Sequence, residues 1–128
     1  YENYILEDKF SSESGYKMMT EMIYSQNLPT AIFAASDPIA IGALRALQDN
    51  GYKVPDDISI IGFDNIETVN FTTPPLTTVH SPSFDMGVLG AKILYYSISN
   101  QSKPMSIRIQ MPCFLIERNS VKNINNSK

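Results

Sequence analysis

Tryptophan is absent, and histidine and cysteine occur once each among the 128 residues. A lone Cys113 can form neither an internal disulfide nor a Cys-type zinc site, and with His80 as the one imidazole no usual transition-metal site can be assembled. Such cysteine usage fits a reducing compartment, so a cytoplasmic location is expected. No apolar run reaches the roughly 18 residues of a membrane span, and no signal peptide opens the chain. Ten Lys+Arg against thirteen Asp+Glu give a net charge of −3, without any basic cluster. This segment therefore lacks the positive face that a nucleic-acid contact requires. The dinucleotide fingerprint, the P-loop and the G-x-S-x-G elbow are missing too. No cofactor or metal is implied.

What is present is an ordinary globular composition, 43% apolar and 18% charged, in a length that suits one domain or a piece of one. The chain begins without Met inside strand-like sequence, Tyr1 to Leu6, and reads as a fragment. Ser11 to Ser14 offers N-capping residues, and Tyr16, Met19, Met22 and Ile23 recur at helical spacing up to about Asn27. Ala31 to Ala35 is a continuous apolar run, as expected of a strand covered on both faces. Asp37-Pro38 predicts a helix start with Asp37 as the cap, and Asn50-Gly51 its end. Ile58 to Phe63 and Leu76 to Val79 are further strands. A helix is predicted from Ser81-Pro82, with Met86, Gly90, Ile93 and Leu94 on one face. Ile107 to Met111 and Phe114 to Ile116 read as closing strands around Pro112, and Asn119 to Lys128 as a frayed polar tail. Helix, strand, helix, strand with short connections predicts an α/β fold with a doubly wound parallel sheet.

Ligands of such sheets collect beyond the carboxyl ends of the strands. One strand end carries Ser36-Asp37, another Asp64-Asn65. Asp64 follows an apolar strand with no cation beside it in sequence; it either ties down a turn or accepts hydrogen bonds from ligand hydroxyls or ring N–H groups. Phe10, in a loop, either packs on the core or stacks on a ligand. Ser81 before Pro82 is a natural N-cap, and His80 a surface or packing residue. Asp64, His80 and Ser81 do not make a catalytic triad, because neighbours in a strand point to opposite faces. No other catalytic constellation assembles, so the chain is not read as an enzyme.

Several blocks, taken together, carry a resemblance. Ala34 to Leu47 (AASDPIAIGALRAL) followed by Gly51 to Asn65 (GYKVPDDISIIGFDN) closely resembles the effector-binding region of LacI/GalR-type transcriptional regulators. Phe10 to Tyr16 (FSSESGY), Pro74 to His80 (PPLTTVH), Met86-Gly87 and Leu115 to Ser120 (LIERNS) are similar to further blocks of that family, in the same order.

The resemblance implies a type I periplasmic-binding-protein-like fold. Residues 1–80 would form part of the C-terminal lobe, 81–106 a crossover helix segment of the N-terminal lobe, 107–120 closing strands of the C-terminal lobe, and 121–128 a disordered tail. It implies a cytoplasmic repressor in which operator DNA is gripped by an N-terminal headpiece outside this segment. Asp64 falls on the family's effector carboxylate and Phe10 on an aromatic that stacks against effector. Ser36 and Ser81 fall on polar effector positions, with shorter side chains than family members often have there. Local similarities point to both galactoside-responsive and purine-responsive members; a sugar is the expected effector, ahead of a purine. The family dimerises through this lobe. A homodimer is thus expected, with Ile39, Ala43, Leu44 and Leu47 on one helix and Phe71 beyond it at the contact. An exported sugar-binding protein of the same fold class is the alternative.

Overall fold

The computed structural model describes residues 4–26, 28–99 and 106–124. Helix α1 spans Ser12–Tyr24 and starts where the Ser11 hydroxyl accepts the Ser14 N–H at 3.1 Å. Strand β1 (Ala31–Phe33) follows, then α2 (Asp37–Asp49), β2 (Ser59–Asp64), a 3₁₀ turn (Glu67–Phe71), β3 (Thr77–His80), α3 (Ser83–Ser99) and β4 (Phe114–Ile116). The sheet runs β1-β2-β3-β4; the first three strands are parallel and β4 returns antiparallel to β3. This is the expected α/β architecture.

Its core lies between α2, α1 and one face of the sheet. Leu44, Leu47, Ile58, Ile60, Val69 and Leu76 are buried there with Met19. Glycine makes the helix pair possible. A Cβ on Gly15 would overlap the Ile39 carbonyl, and one on Gly42 would overlap the Ser12 carbonyl, so α1 and α2 touch backbone to backbone.

Several expectations need correction. β1 is not covered on both faces: Ala31 and Phe33, which share one face, are exposed, Phe33 by 63%, because among the described residues no helix packs over that face. Of the first predicted strand, residues 1–3 lie outside the described residues, and Tyr4, Ile5 and Leu6 are exposed and form no strand. Ile107 to Met111 forms no strand; these residues are almost all exposed, and only Phe114–Ile116 joins β3. The predicted frayed tail is anchored at its start. Ser120 is buried, its hydroxyl accepting the Thr77 N–H at 2.8 Å and donating to the Ile60 carbonyl at 2.6 Å, so it sews the end of the chain under β2 and β3. Lys122 N–H adds a bond to the Ser59 hydroxyl, which leaves 121–124 tethered; residues 125–128 lie outside the described residues.

Helix α3 has the predicted apolar residues but buries none of its side chains. Phe84, Leu94, Tyr95, Tyr96 and Ile98 are all exposed along it.

Candidate functional site

Three parallel strands deliver their carboxyl ends to one edge of the sheet. Ser36 follows β1, Asp64 ends β2 and His80 ends β3, with Asp64 and His80 facing each other in register. Asp64 has φ +111° and the next residue, Asn65, φ +57°. The second value is a left-handed conformation that asparagine tolerates; the first is sparsely populated by any residue with a Cβ. Strain of this kind persists only where neighbours hold it, and it concentrates at ligand sites.

The holding groups are clear. Asp37 is fully buried at the first turn of α2. Its Oδ2 accepts the Ile66 N–H at 2.9 Å, and its Oδ1 accepts the Thr78 hydroxyl at 2.6 Å. The Thr78 oxygen in turn accepts the Asn65 N–H at 3.4 Å. Asp37 is therefore not the helix cap. Ser36 caps α2, its hydroxyl accepting the Ile39 N–H at 3.5 Å, which frees the Asp37 carboxylate to brace the turn after β2. Gly62 makes room for that carboxylate, since a Cβ there would overlap Asp37 Oδ1.

Asp64 itself projects from this braced turn. Among the described residues no group hydrogen-bonds to its carboxylate. Desolvation against the sheet edge pushes its carboxyl above the ordinary carboxylate value, and the charge of Asp37 adds to the shift. Asp64 is exposed, so water screens most of this desolvation and its cost to stability is small. The carboxylate becomes favourable once a ligand supplies O–H or N–H donors.

Asn65 is the residue that reading the sequence undervalued. Its Oδ1 accepts from Arg118 Nη2 at 2.8 Å, and its Nδ2 lies 3.3 Å from His80 Nδ1. Arg118 also donates from Nη1 to the Leu76 carbonyl at 2.8 Å, and the His80 ring lies 4.8 Å from that of Phe114.

The remaining candidates fall into different places. Phe10 is 72% exposed and borders an open groove of about 570 Å³ between α1, α2 and the free edge of β1, lined by Met18, Met22, Phe33 and Ala35 among others. Asp64, Ser36 and Ser81 do not line that groove. Ser36 is buried and its hydroxyl is occupied by the cap. Ser81 is half-buried just before α3. At the expected dimer contact, Ala43, Leu44 and Leu47 are buried inside this one chain and Ile39 packs against its core, so the α2 face is filled by α1 and the sheet. Phe71 alone of that set stands free, 78% exposed.

Residues 1–121 match the model of the periplasmic binding protein-like domain. The chain belongs to that family, as an effector-binding domain segment of the LacI/GalR type. It is similar to the HTH-type transcriptional repressor PurR of Histophilus somni (strain 129Pt), with 41% identity over 122 residues, 95% of this chain and 36% of that protein. A LacI family transcriptional regulator from Enterococcus faecalis V583, solved with bound ribose, superposes with TM-score 0.83 at 37% identity, covering 91% of this chain and 42% of that one. The lac repressor dimer bound to operator and the anti-inducer ONPF superposes with TM-score 0.80 at 29% identity, covering 88% and 39%. This LacI/GalR-type segment thus spans about a third of the length of its curated relatives, which are transcriptional repressors. Among its described residues no helix is long and apolar enough to cross a membrane.

Proposed function

We propose that the chain is the effector-sensing and dimerising part of a LacI/GalR-type repressor, and that its effector is a sugar. The carrying observation is Asp64, an unpartnered carboxylate held on a strained turn at the carboxyl edge of the sheet. Vicinal sugar hydroxyls can donate to both of its oxygens at once. Phe10, exposed in the loop before α1 on a groove that Asp64 does not line, is assigned as the ring on which the apolar face of the sugar stacks. The relative solved with ribose supports a sugar. A purine base is the second reading, favoured by the 41% identity to PurR, and its ring N–H groups would use the same carboxylate. Residues 1–80 and 107–120 are assigned to the C-terminal lobe and 81–106 to the crossover. An α3 with no buried side chain supports a packing surface elsewhere in the full protein.

Titration calorimetry of the full-length regulator with ribose and with hypoxanthine tests the effector. Ribose is expected to bind, with Phe10→Ala lowering its affinity more than the melting temperature. Binding of hypoxanthine alone would replace the sugar by a purine. Operator binding then needs two headpieces on a two-fold site, hence a homodimer. Phe71 is the exposed anchor for it, and a two-fold interface of at least roughly 1,000 Å² is expected. Light scattering of the full-length protein should give twice the chain mass, and Phe71→Asp should shift it toward monomer and weaken operator binding. A Phe71→Asp protein that stays dimeric removes Phe71 from the contact.

A further inference from the structure

Asn65 joins three elements. Its backbone belongs to the turn after β2, its Oδ1 is held by Arg118 beyond β4, and its Nδ2 meets His80 at the end of β3. β3 leads into α3 and β4 brings the chain back from it, so Asn65 clasps both strands of that excursion at the point where His80 pairs with Phe114.

The chemistry of the clasp is determined. A guanidinium has donors only, so the Asn65 atom facing Arg118 must be the amide oxygen. The amide nitrogen then faces His80, and being a donor it requires an unprotonated Nδ1. His80 must therefore carry its proton on Nε2. If Nδ1 were protonated, donor would face donor, and turning the amide over would only set its NH₂ against Arg118. One orientation of Asn65 satisfies all three groups.

We propose that Asn65 is a positioning residue for the effector carboxylate, fixing the Asp64 turn to β3 and β4 through an Arg118–Asn65–His80 relay. This rests on the reading of Asp64 as the effector contact. The relay holds the Asn65 side chain, whereas the Asp37–Thr78 brace holds the backbone N–H groups of Asn65 and Ile66. Between them the two braces fix the two residues that follow Asp64: Asn65 by its side chain, Ile66 by its N–H. Around His80 the other charged groups are Asp64, opposite it on β2, Arg118 across the shared amide, and Asp37 on α2 behind Thr78.

Two substitutions separate the relay from the fold. Asn65→Gly keeps a residue at ease with φ +57° and deletes the amide. Asn65→Asp keeps an acceptor for Arg118 but replaces the donor that faces His80 Nδ1 by a second acceptor. In the full-length regulator, with ribose as the probe, Asn65→Gly should lose about tenfold in affinity, the equivalent of one hydrogen bond's worth of alignment, with a melting temperature close to the parent's. In NMR, His80, assigned by comparison with His80→Gln, should show the Nε2–H tautomer in the parent and lose that preference in Asn65→Gly. Parental ribose affinity in Asn65→Gly, with Asp64→Asn impaired, would overturn the relay and leave the effector reading standing. Parental affinity in Asp64→Asn would sink the effector reading and the positioning role with it. If ribose does not bind the parent, the sugar assignment fails separately, and an Nδ1–H tautomer of His80 in the parent would overturn the relay by itself.

Discussion

Gly42→Ala should destabilise the protein by about 3 kcal/mol, the upper end of what one surplus methyl does in a packed interior. The reason is geometric. The added Cβ would overlap the Ser12 carbonyl and crowd the Tyr16 N, and both are backbone atoms of α1 that no rotamer change can move aside. The helices must part, which lifts Met19 and Ile39 away from the core they share with Ala43 and Leu47. Gly15→Ala meets the Ile39 carbonyl in the same manner and should behave alike. Urea unfolding of the full-length protein reads the effect as a shift in midpoint at unchanged slope. A Gly42→Ala midpoint equal to that of the parent would mean that the helix pair is loosely packed.

Neither glycine is visible as special in the sequence. Both sit inside helical periodicity, where glycine is merely unfavourable, and only the crossing of α1 over α2 explains them. The elements that periodicity and punctuation did predict share one property: their signals are local. The Ser11 cap, Pro38 in the first turn of α2 and the apolar run of β2 each act within one turn or one strand. Where the reading failed, distant residues decided. Asp37 looked like a cap because Pro38 follows it. Its carboxylate instead reaches Thr78, 41 positions later, and the cap passes to Ser36. The polar Ser120 looked like tail, yet it fills the hydrogen-bonding needs of two strands more than 40 positions away. The α2 face looked too wide for one sheet contact because α1 also packs on it.

The candidate site shows the same division. Asp64 stood out in sequence because it follows an apolar strand, and the structure adds why it is poised: the positive φ, the missing partner and the carboxylate of Asp37 behind it. Asn65 and Arg118 carried no signal of their own. They lie 53 positions apart and acquire meaning only through the hydrogen bond between them.

Asp64→Asn should move affinity and stability in opposite directions. A charge-assisted hydrogen bond contributes about 1.5–3 kcal/mol, so losing the carboxylate should weaken effector binding roughly 10- to 150-fold. Stability should rise. The Asp64 carboxyl is held above its ordinary 3.8, first by desolvation and then by Asp37. The folded state consequently binds the Asp64 proton more tightly than the unfolded chain does, and stability falls as pH rises from 3.8 through the folded value. At neutral pH the ionised carboxylate is a small burden on the free protein, because the exposed side chain is largely screened by water, and the neutral amide removes it. The melting temperature of Asp64→Asn should exceed that of the parent at pH 7, and the advantage should vanish below pH 3.8, where the parent carboxyl is protonated in both states. Effector should narrow the gap at pH 7, because it stabilises the parent more than the variant. A variant with weaker binding and a lower melting temperature at pH 7 would make Asp64 a structural turn residue whose loss disturbs the site only indirectly. Weaker binding together with a higher melting temperature is the combination that a carboxylate strained for its ligand requires.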